Sequence, residues 1–521
     1  MYSGNGMNRR TFLVCAAASL AGTFDLGSAF AASPPKRGGI LRVSVNSAVA
    51  KLNPLMARDP SEQLLSELVY SGLTRFGEDM SPVPDLAESW SSNHDLTVWT
   101  FLLRPNLKFH DGAPCTSADV VATFAAIRNP KIGSPARQNV GPISSVRAID
   151  TTTVEFVLDS PYIDFPTAMA FPNAKILQAS IVQNHIDTLS RAANGTGPFK
   201  LATFHPDRVV TVVKNDLYYD KDRPYLDGVE IRVYPDSTAE GSALISGDTD
   251  LMILVRPPEF ARLQNSPGID ALRVPSGQFC NVNMGCDQKP FNDVRVRRAL
   301  ALTVDRKVMV DFVAEGYGTP GNDSPITSAF TFYTSQPLKQ PNIAEAKRLL
   351  AEAGYPNGLS LTLVASDTPP IRTPMAVALR EMARPAGFDI NVQTMPHATY
   401  LEQVWKKGSF YVGYYTMQPT VDAVFSLLYT SDAVWNETRW NNPKFDQIVK
   451  VARGTADVAK RQALYTEAQH MLVDEVPSII PVFFDMLRAK RRHVQGYKIH
   501  PRGLVFRLDY VWLNASANER S

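Results

Sequence analysis

The chain has 521 residues, of which 44% are apolar and 20% are charged, and its formal net charge at pH 7 is +2. This length exceeds one ordinary hydrophobic core and predicts two or three domains. The composition is that of a soluble globular protein and excludes a disordered or fibrous chain. A nearly neutral chain also argues against a nucleic-acid partner, since its densest basic run, 488–493, is short.

The N-terminal segment has the order of an export signal. An arginine pair at 9–10 precedes an apolar run, and an Ala-Phe-Ala motif at 29–31 offers a cleavage site. We therefore predict a twin-arginine signal peptide over residues 1–31 and a periplasmic protein. No cysteine follows the apolar run, so we expect no lipid anchor. Translation can start at Met1 or at Met7.

Strands alternate with helices along the rest of the chain, which predicts an α/β architecture. In chain order, the predicted elements are a strand at Gly38–Val45, a helix at Ser61–Tyr70, a strand-turn-helix at Leu103–Ile127, strands at Val154–Leu158 and Asp227–Tyr234, a short helix at Leu244–Asp250, a helix capped by Asn292 or Asp293, a helix capped by Asn342, a strand at Leu359–Ala365, and helices around Val377–Met382 and Arg461–Val473.

The segment Leu103–Ile127, LRPNLKFHDGAPCTSADVVATFAAI, is the most distinctive of these elements. Thr116 is placed to cap its helix, and Asp119, at the third helical position, completes a capping box. Apolar residues such as Val120 and Phe124 then recur at helical spacing on one face. Any well-formed strand-turn-helix would share this pattern, so the pattern alone predicts no function.

Three cysteines follow the predicted signal, at Cys115, Cys280 and Cys286. The last two lie in a stretch with the pattern of a strand, which would hold their Cα atoms about 20 Å apart, beyond disulfide reach. Only a sharp bend at Gly285 would bring them together. We predict buried free thiols.

No pattern in the chain predicts catalysis. The eight histidines are scattered, and we find no HExxH, CxxC or G-x-S-x-G motif. The glycines at 195 and 197 do not open a dinucleotide loop, because Lys200 replaces the third glycine and Pro198 would block the helix. We predict a protein that is not an enzyme and has neither cofactor nor metal site. An exported enzyme is the alternative from a different functional class.

Several ordered blocks of the chain resemble a single protein family. These blocks are Leu68–Trp90, Trp99–Arg104, Leu103–Ile127, Gly195–Tyr219 and Phe291–Arg306. They resemble the peptide/nickel family of extracytoplasmic solute-binding proteins, which hand ligands to ABC importers. The resemblance extends from about Gly38 to Pro501.

This resemblance implies an α/β fold, a two-lobed periplasmic-binding-protein clamp with an additional subsidiary domain. The implied domains are a discontinuous first lobe at 38–75, 194–276 and 485–521, a subsidiary domain at 76–193, and a second lobe at 277–484. Crossings near Ser276 and Phe483 would form a hinge, and closure would trap the ligand between the lobes. The implied function is that of a monomeric receptor that captures a small organic solute and delivers it to an inner-membrane ABC permease.

The aromatic-rich stretch Phe410–Trp440 is the candidate ligand site, because small-molecule sites combine apolar walls with a few fixed polar groups. The candidate ligand-binding residues in it are Tyr414, Tyr415, Met417, Trp435, Asn436 and Trp440. By analogy with the family, Asn46 and Ser47 after the first strand, and Phe279 and Asn281 after the crossing, approach the same cleft.

The stretch departs from the family at one informative position. Peptide-binding members carry Gly-Trp-x-x-Asp-Tyr, whose aspartate holds the amino terminus of the ligand. Aligning Gly413 with that glycine puts Met417 on the aspartate, and a methionine cannot neutralise an ammonium group. Asp422 could replace it only if the loop is rearranged.

We therefore expect a sugar-like ligand, a modified or cyclic amino compound, or another organic solute. A dipeptide or oligopeptide receptor is the alternative within the family. The scattered histidines do not predict direct nickel binding, whereas a metal held by a small organic chelator stays open.

Overall fold

A computed structural model describes residues 34–514 of the chain. The chain divides into a short unit, Met1–Pro35, and a unit that begins at Lys36. The predicted signal peptide over 1–31 and the end of the predicted first lobe, 515–521, lie outside the described residues. Within the described range, no helix is both long and apolar enough to span a membrane.

Strands and helices alternate along the described chain. The strands are β1 Ile40–Val45, β2 Thr74–Phe76, β3 Pro82–Pro84, β4 Ala87–Ser92, β5 Val98–Leu103, β6 Ile143–Ala148, β7 Thr153–Leu158, β8 Phe199–His205, β9 Val209–Lys214, β10 Gly228–Val233, β11 Leu251–Met252, β12 Ile269–Met284, β13 Gly318–Pro320, β14 Leu359–Ser366, β15 Phe388–Met395, β16 Phe410–Tyr415, β17 Ser478–Arg491, β18 Val494–Gln495 and β19 Trp512–Leu513. The α-helices are α1 Pro60–Val69, α2 Ser117–Arg128, α3 Phe165–Ala168, α4 Ala179–Asn184, α5 Ser237–Ser246, α6 Pro257–Gln264, α7 Val294–Ala301, α8 Arg306–Val313, α9 Ile343–Glu352, α10 Arg372–Ala383, α11 His397–Gln403, α12 Val421–Leu428, α13 Pro443–Arg453 and α14 Val458–Glu475.

A large mixed sheet forms the centre of this structure. Its strand order is β15-β14-β16-β12-β17-β11-β1-β10-β9-β8, and β13 pairs with β17 outside this order. Strands β12 and β17 pair antiparallel from Ile269 with Arg491 to Asn283 with Ser478. These two long strands therefore join a first half of the sheet (β8, β9, β10, β1 and β11) to a second half (β13, β14, β15 and β16).

The pairing of β12 with β17 shifts its register where the two halves meet. The shift falls between Val274 and Gln278. The predicted crossing near Ser276 lies inside this irregular segment, and Phe483 pairs opposite Phe279 just beyond it. The two predicted crossings are therefore adjacent in space, and their role as a hinge stays a prediction.

A separate antiparallel sheet, in the order β4-β5-β7-β6, lies beside the first half. Helix α2 packs on it, and the ring of Phe124 meets that of Phe156 edge-on at 4.9 Å. The predicted capping box is confirmed, because Thr116 and Asp119 exchange side-chain and backbone hydrogen bonds. Asp119 also accepts a hydrogen bond of 2.7 Å from the backbone N–H of Ala179, and so fixes α4 against α2.

One continuous apolar core joins this four-stranded sheet to the first half of the large sheet. It includes Val43 and Ile231 from the large sheet and Phe101 and Phe156 from the smaller one. A second core, with members such as Val412, lies against the second half. Because the first core is shared, the predicted boundaries at 38–75, 76–193, 194–276, 277–484 and 485–521 stay a prediction.

The predicted short helix Leu244–Asp250 is wrong in its bounds. Helix α5 begins after Asp236, whose carboxylate accepts a hydrogen bond of 2.7 Å from the backbone N–H of Ala239. It ends at Gly247, which has a φ of 93°. The aspartate cap, eleven residues before the glycine that ends the helix, was the local signal that fixed this helix.

The cysteines of the described chain are free, with Cys115 and Cys280 buried and Cys286 half-buried. Burial raises the pKa of the Cys280 thiol to about 12 and that of the Cys286 thiol to about 11. Thiols with such raised pKa values are poor nucleophiles at neutral pH.

The C-terminal segment packs on the first half through charged and aromatic groups. Arg75 Nη1 donates a hydrogen bond of 2.9 Å to Asp509. The guanidinium groups of Arg75, Arg223 and Arg507 lie 5.5, 4.0 and 4.3 Å from the ring centre of Tyr510. This tail therefore packs against residues such as Arg75 and Arg223, which lie far earlier in the chain.

Candidate ligand-binding site

The topology of the large sheet brings one end of each half together. β1 runs parallel to β11, and β11 is antiparallel to β17, so β1 ends where the two halves meet. β16 is antiparallel to β12 and parallel to β14, so these strands of the second half end at the same junction. Ligands of open α/β sheets bind outside the carboxyl ends of the strands. Asn46, which follows β1, and residues 416–418, which follow β16, therefore border the same gap.

The side chains of β12 and β16 that face one side of the sheet form the floor of the candidate site. Asn281 pairs with Gly413, Asn283 with Tyr411, and Phe279 with Tyr415. These six residues share a face because side chains alternate along a strand. Their alternating neighbours, such as Val412, belong to the second core.

This alternation separates two residues that the sequence placed in one site. Tyr415 packs with Phe279 and Met417 in the third apolar cluster of the described chain. Tyr414 packs against the second core on the opposite face. The structure therefore does not bring Tyr414 and Tyr415 together, and Tyr415 is the one of the two that lies beside Asn281 and Asn283.

A buried polar group, which we call the Glu437 cluster, occupies this face; it comprises Asn281, Asn283, Gly413, Tyr415 and Glu437. Asn283 Nδ2 donates a hydrogen bond of 2.6 Å to Glu437 Oε2, and Asn281 Nδ2 donates one of 2.7 Å to Asn283 Oδ1. A Cβ at position 413 would lie 2.8 Å from Asn283 Nδ2 and 2.9 Å from Glu437 Oε2. Glycine at this position leaves the space in which these polar atoms converge.

The carboxylate of Glu437 is unusual in its burial. Glu437 is 3% exposed, and burial raises its pKa to about 7, although the amide of Asn283 opposes this shift. Hydrogen bonds from Tyr415 and Asn281 oppose the shift as well, so the members of the cluster are hydrogen-bonded to one another. Buried polar groups are usually paired in this way.

Aromatic rings form a wall next to the cluster. The ring centre of Trp435 lies 6.1 Å from that of Tyr415 and 5.8 Å from that of Trp405. Phe279 lies 5.8 Å from Tyr415 on the other side. Trp435 is half-buried, so part of its surface stays accessible. Such rings bind the apolar part of a small ligand while nearby polar groups orient it.

A second buried charge lies near the carboxyl end of β14. Arg372 is 6% exposed, and its guanidinium group lies 5.0 Å from the ring centre of Tyr400. Its Nε and Nη1 atoms have no hydrogen-bond partner in the described part of the chain. Tyr400 donates a hydrogen bond of 2.8 Å to the carbonyl oxygen of Val412, which ties α11 to β16. The positive charge of Arg372 also lowers the pKa of Glu437 slightly.

Three other predicted site residues are engaged in packing or in loop structure. Met417 is 1% exposed, and its sulfur accepts a hydrogen bond of 3.4 Å from the backbone N–H of Gly277. Trp440 Nε1 donates to Glu475 at 2.8 Å. Asn436 Nδ2 donates to the carbonyl oxygen of Trp440 at 2.8 Å. Their contact with ligand stays a prediction.

The remaining predicted residues border the junction of the halves. Asn46 is half-buried at the end of β1. Ser47 Oγ lies 3.0 Å from Ser61 Oγ, and so it is engaged by the start of α1. Phe279 is 2% exposed and forms part of the aromatic wall. Their roles in binding likewise stay predictions.

Sequence reasoning missed Asn283, Arg372, Trp405 and Glu437. Asn283 carried a signal, because it and Asn281 are polar residues two positions apart in a buried strand and must share a face. Glu437 carried none, since a loop residue twenty-four positions beyond Gly413 reaches β16 only through the tertiary fold.

A second contact joins the loop before α3 to the helices after β16. Arg461 Nη1 donates to Asp164 at 2.9 Å, and the backbone N–H of Ile163 donates to the carbonyl oxygen of Arg453 at 3.0 Å. Burial raises the pKa of Asp164 to about 6, and Arg461 opposes this shift. Beside this contact lies a cavity of about 200 Å³, lined by Gln138, Asn139, Gly141, Pro142, Tyr162, Pro419, Asp422, Ala423, Ser426, Leu427, Val434 and Arg453.

The described residues contain no group of three or more histidine, cysteine, aspartate or glutamate side chains arranged to hold a metal ion. The candidate site is built from one carboxylate, one guanidinium group, two amides and several aromatic rings.

Comparison with known proteins identifies the family. The model of family 5 of the bacterial extracellular solute-binding proteins matches residues 81–436. The chain belongs to this family. The predicted resemblance to the peptide/nickel-type solute-binding proteins of ABC importers is thereby confirmed, as is the prediction of a solute-binding receptor.

Individual relatives support the same assignment. The chain is 25% identical over 485 residues to the glutathione-binding protein GsiB of Pectobacterium atrosepticum, which covers 91% of this chain and 94% of that protein. The structure of AgaA from A. tumefaciens R10 in complex with agropinic acid is 26% identical, with a TM-score of 0.79, and covers 92% of this chain and all of that one. HbpA2 from Haemophilus parasuis is 25% identical with a TM-score of 0.81, over 92% of this chain and 100% of that one. The described structure is thus the predicted two-lobed periplasmic-binding-protein fold.

Proposed function

We propose that this protein captures a small organic solute at the junction of the two sheet halves and delivers it to an inner-membrane ABC permease. The observation that carries this proposal is the pairing of a partly accessible aromatic wall with the buried polar Glu437 cluster. Gly413 and Tyr415 lie near the carboxyl end of β16, which borders the junction opposite the end of β1, and α/β folds bind ligands at such strand ends.

The ligand class that fits this site is an amino-acid-derived solute. The wall of Trp405, Tyr415 and Trp435 suits an apolar or planar moiety, and Glu437 and Arg372 suit charged groups. The ligands of two relatives belong to this class, since one relative binds glutathione and the structure of another contains agropinic acid. An unmodified dipeptide or oligopeptide is the second candidate, and Met417 at the position of the family's aspartate opposes it.

We further propose that the protein reaches the periplasm through the signal peptide over residues 1–31, acts as a monomer, and returns its ligand chemically unchanged. Sequencing of the exported protein should give Ala32 as its first residue, and size-exclusion chromatography with light scattering should give one chain. Mass spectrometry of a ligand recovered after incubation should show no change in mass. A converted product would support the alternative of an exported enzyme.

Thermal denaturation in the presence of candidate solutes tests the receptor function. A solute that binds only the folded protein raises the melting temperature, by an amount that corresponds to about 2.7 kcal/mol at one hundred times the dissociation constant. We expect such a shift from at least one modified amino acid, opine or peptide, and none from the same compounds after Trp435→Ala. If no organic solute raises the melting temperature, the proposed function is wrong.

A further inference from the structure

An arginine-rich groove, which we call the Tyr510 groove, lies where the C-terminal segment packs on the first half. Its volume is about 640 Å³, and its walls come from the segment that contains β3, from the loop 219–223 and from the tail residues Arg507 and Tyr510. No residue of β12, of β16 or of the loop that carries Glu437 lines it. The Tyr510 groove is therefore separate from the candidate ligand site and has room for a small ligand.

Guanidinium groups dominate the walls of this groove. Those of Arg75, Arg223 and Arg507 surround the ring of Tyr510, and that of Arg104 lies 4.8 Å from the ring centre of Tyr219. The side chains of Arg75 and Arg223 keep 19% and 18% of their surface exposed. Four like charges thus lie side by side at a partly open surface.

The carboxylates of the groove do not neutralise all of these charges. Five cationic and three acidic side chains line it, and each acidic one already has a partner. Glu78 pairs with Lys498 at 2.7 Å, Asp220 pairs with Arg223, and Asp79 accepts a hydrogen bond of 3.0 Å from the backbone N–H of Ser81. Asp509, which does not line the groove, pairs with Arg75 at 2.9 Å and lies 3.7 Å from Arg223. Carboxylates therefore engage Arg75 and Arg223 but not the other cations.

Arg104, Lys221 and Arg507 form no ion pair with any carboxylate in the part of the chain that the structure describes. Arg104 Nε donates a hydrogen bond of 2.7 Å to the carbonyl oxygen of Asp85, and Lys221 Nζ donates one of 3.2 Å to that of Asp216. Carbonyl oxygens have no net charge, so these contacts leave a positive potential in the groove.

Arg507 is the most constrained of these cations. Its backbone has a φ of 48°, a left-handed conformation that is uncommon outside glycine. Its Nη1 atom donates one long hydrogen bond, of 3.5 Å, to the carbonyl oxygen of Phe76. Burial and the positive charge of Arg75 lower its pKa. Backbone strain and crowding of like charges cluster at functional sites, which indicates a role for Arg507 beyond packing.

A phosphate-type oxyanion has the chemistry that fits these donors. Guanidinium groups bind oxyanions through paired N–H donors and stay charged at neutral pH. A carboxylate offers two acceptor oxygens in one plane, whereas a tetrahedral oxyanion offers three or four that point in different directions. Donors that come from three separate segments of the chain, at Arg104, Lys221 and Arg507, match the tetrahedral group.

We propose that the Tyr510 groove binds a phosphate-type oxyanion through Arg104, Lys221 and Arg507, carried either by a soluble phosphate ester or by the headgroup of an anionic lipid. The inference does not depend on the proposed function, because the groove shares no residue with the candidate ligand site. The competing account is that the arginines only hold the tail in place, and in that case the groove binds no phosphate.

Calorimetric titration of the purified protein tests the soluble ligand. The probes are glycerol 3-phosphate and pyrophosphate, with succinate as the carboxylate control and glycerol as the uncharged control. At least one phosphate should bind at least tenfold more tightly than succinate, and glycerol should not bind. Arg507→Gln should reduce the phosphate affinity at least tenfold. Lys221→Gln, at an exposed position where folding is not at risk, should reduce it at least threefold.

Co-sedimentation with lipid vesicles tests the headgroup. Vesicles of equal parts phosphatidylglycerol and phosphatidylcholine should bind the protein if an anionic lipid is the ligand, whereas vesicles of phosphatidylcholine alone should not. Arg507→Gln and Lys221→Gln should each lower the bound fraction. Binding in either assay, with these losses in the variants, supports the oxyanion site and identifies its source.

Arg348→Gln is the matched control, because it removes the same charge from an exposed arginine of α9 that pairs with Glu345 at 2.6 Å. This variant should bind phosphate as the wild type does. Absence of binding in both assays, equal affinity for phosphate and succinate, or full affinity in both groove variants would each overturn the proposal. A melting temperature that responds to phosphate but to no organic solute would contradict the proposed function and leave the oxyanion site in place.

Discussion

Gly413 is a single residue on which the candidate site depends. A methyl group at this position would lie 2.8 Å from Asn283 Nδ2 and 2.9 Å from Glu437 Oε2, closer than any real Cβ contact. We expect Gly413→Ala to displace the cluster, to lower the free energy of unfolding by about 1–3 kcal/mol as overpacked cores do, and to abolish ligand binding. Urea unfolding and calorimetric titration measure the two effects.

Gly133→Ala is the matched control for the steric argument, since no atom lies within 4 Å of a Cβ built at that position. Gly133 has a φ of 69°, so its substitution brings backbone strain alone and should leave ligand affinity unchanged. An unaltered affinity in Gly413→Ala would show that the polar atoms at position 413 are not part of the binding site.

Glu437 makes the stability of the ligand-free protein depend on pH. Its folded pKa of about 7 exceeds the ordinary value of 4.5, so the folded state holds the proton more tightly than the unfolded state does. The corresponding stability is fully present below pH 4.5 and is lost as the pH rises through 7, by about 3 kcal/mol. Urea unfolding at pH 5 and pH 8 should therefore show a smaller loss in Glu437→Gln than in the wild type, and a loss equal to that of the wild type would contradict the raised pKa.

At the scale of elements, the loop before α3 and helix α14 are held together by Asp164 and Arg461, whose side chains are 13% and 12% exposed. Removing the guanidinium group leaves a largely buried carboxylate without its partner. We expect Arg461→Ala to lower the free energy of unfolding by about 1–3 kcal/mol, less than for a fully buried pair. Chemical denaturation checks this value.

Lys444→Ala provides the control, because the ion pair of Lys444 with Glu467 is 69% and 46% exposed and contributes little. If the free energy of unfolding of Arg461→Ala equals that of Lys444→Ala, the contact between the loop and α14 does not stabilise the fold. A double-mutant cycle with Asp164→Ala separates the pair itself from other effects of each substitution.

Elements that depend on local signals were predictable from the sequence. Thr116 and Asp119 begin α2, Asp293 caps α7, and Asn342 caps α9, because a cap acts within one helical turn. The candidate site was predictable only in part. The aromatic stretch was found, but strand pairing assigned Tyr415 and not Tyr414 to the polar face, and the sequence carried no sign that Glu437 would reach Gly413. Register and loop packing are set by residues far apart in the chain, so periodicity alone does not predict them.

At the scale of the molecule, β12 and β17 are the strands that connect both halves of the large sheet in the described chain. Their pairing is interrupted between Val274 and Gln278, so we expect bending between the halves to occur in this short segment. We expect saturating ligand to bring the halves together as rigid bodies, because the cores on either side are separately packed. Small-angle X-ray scattering should show a smaller radius of gyration with ligand than without it.

A ligand that binds without changing the radius of gyration would argue against hinge closure. Gly277→Val serves as a companion variant, since a Cβ at this position would lie 2.7 Å from Phe330 and 2.9 Å from Met417. Crowding in the interrupted segment should alter the ligand-free radius of gyration, whereas Gly133→Ala should not.

The docking of the tail on the first half has a consequence for how the protein is made. Arg75 and Asp509 are separated by 434 positions, and the first-half segment of β17 is synthesised after the whole of the second half. During synthesis, the first half therefore stays incomplete, with an exposed sheet edge and an open core, until the second half has been synthesised. Contacts of such long sequence separation slow folding and leave partly folded chains prone to aggregation. We expect chains truncated before Arg488 to be recovered as insoluble material, however intact the candidate ligand site is in their sequence.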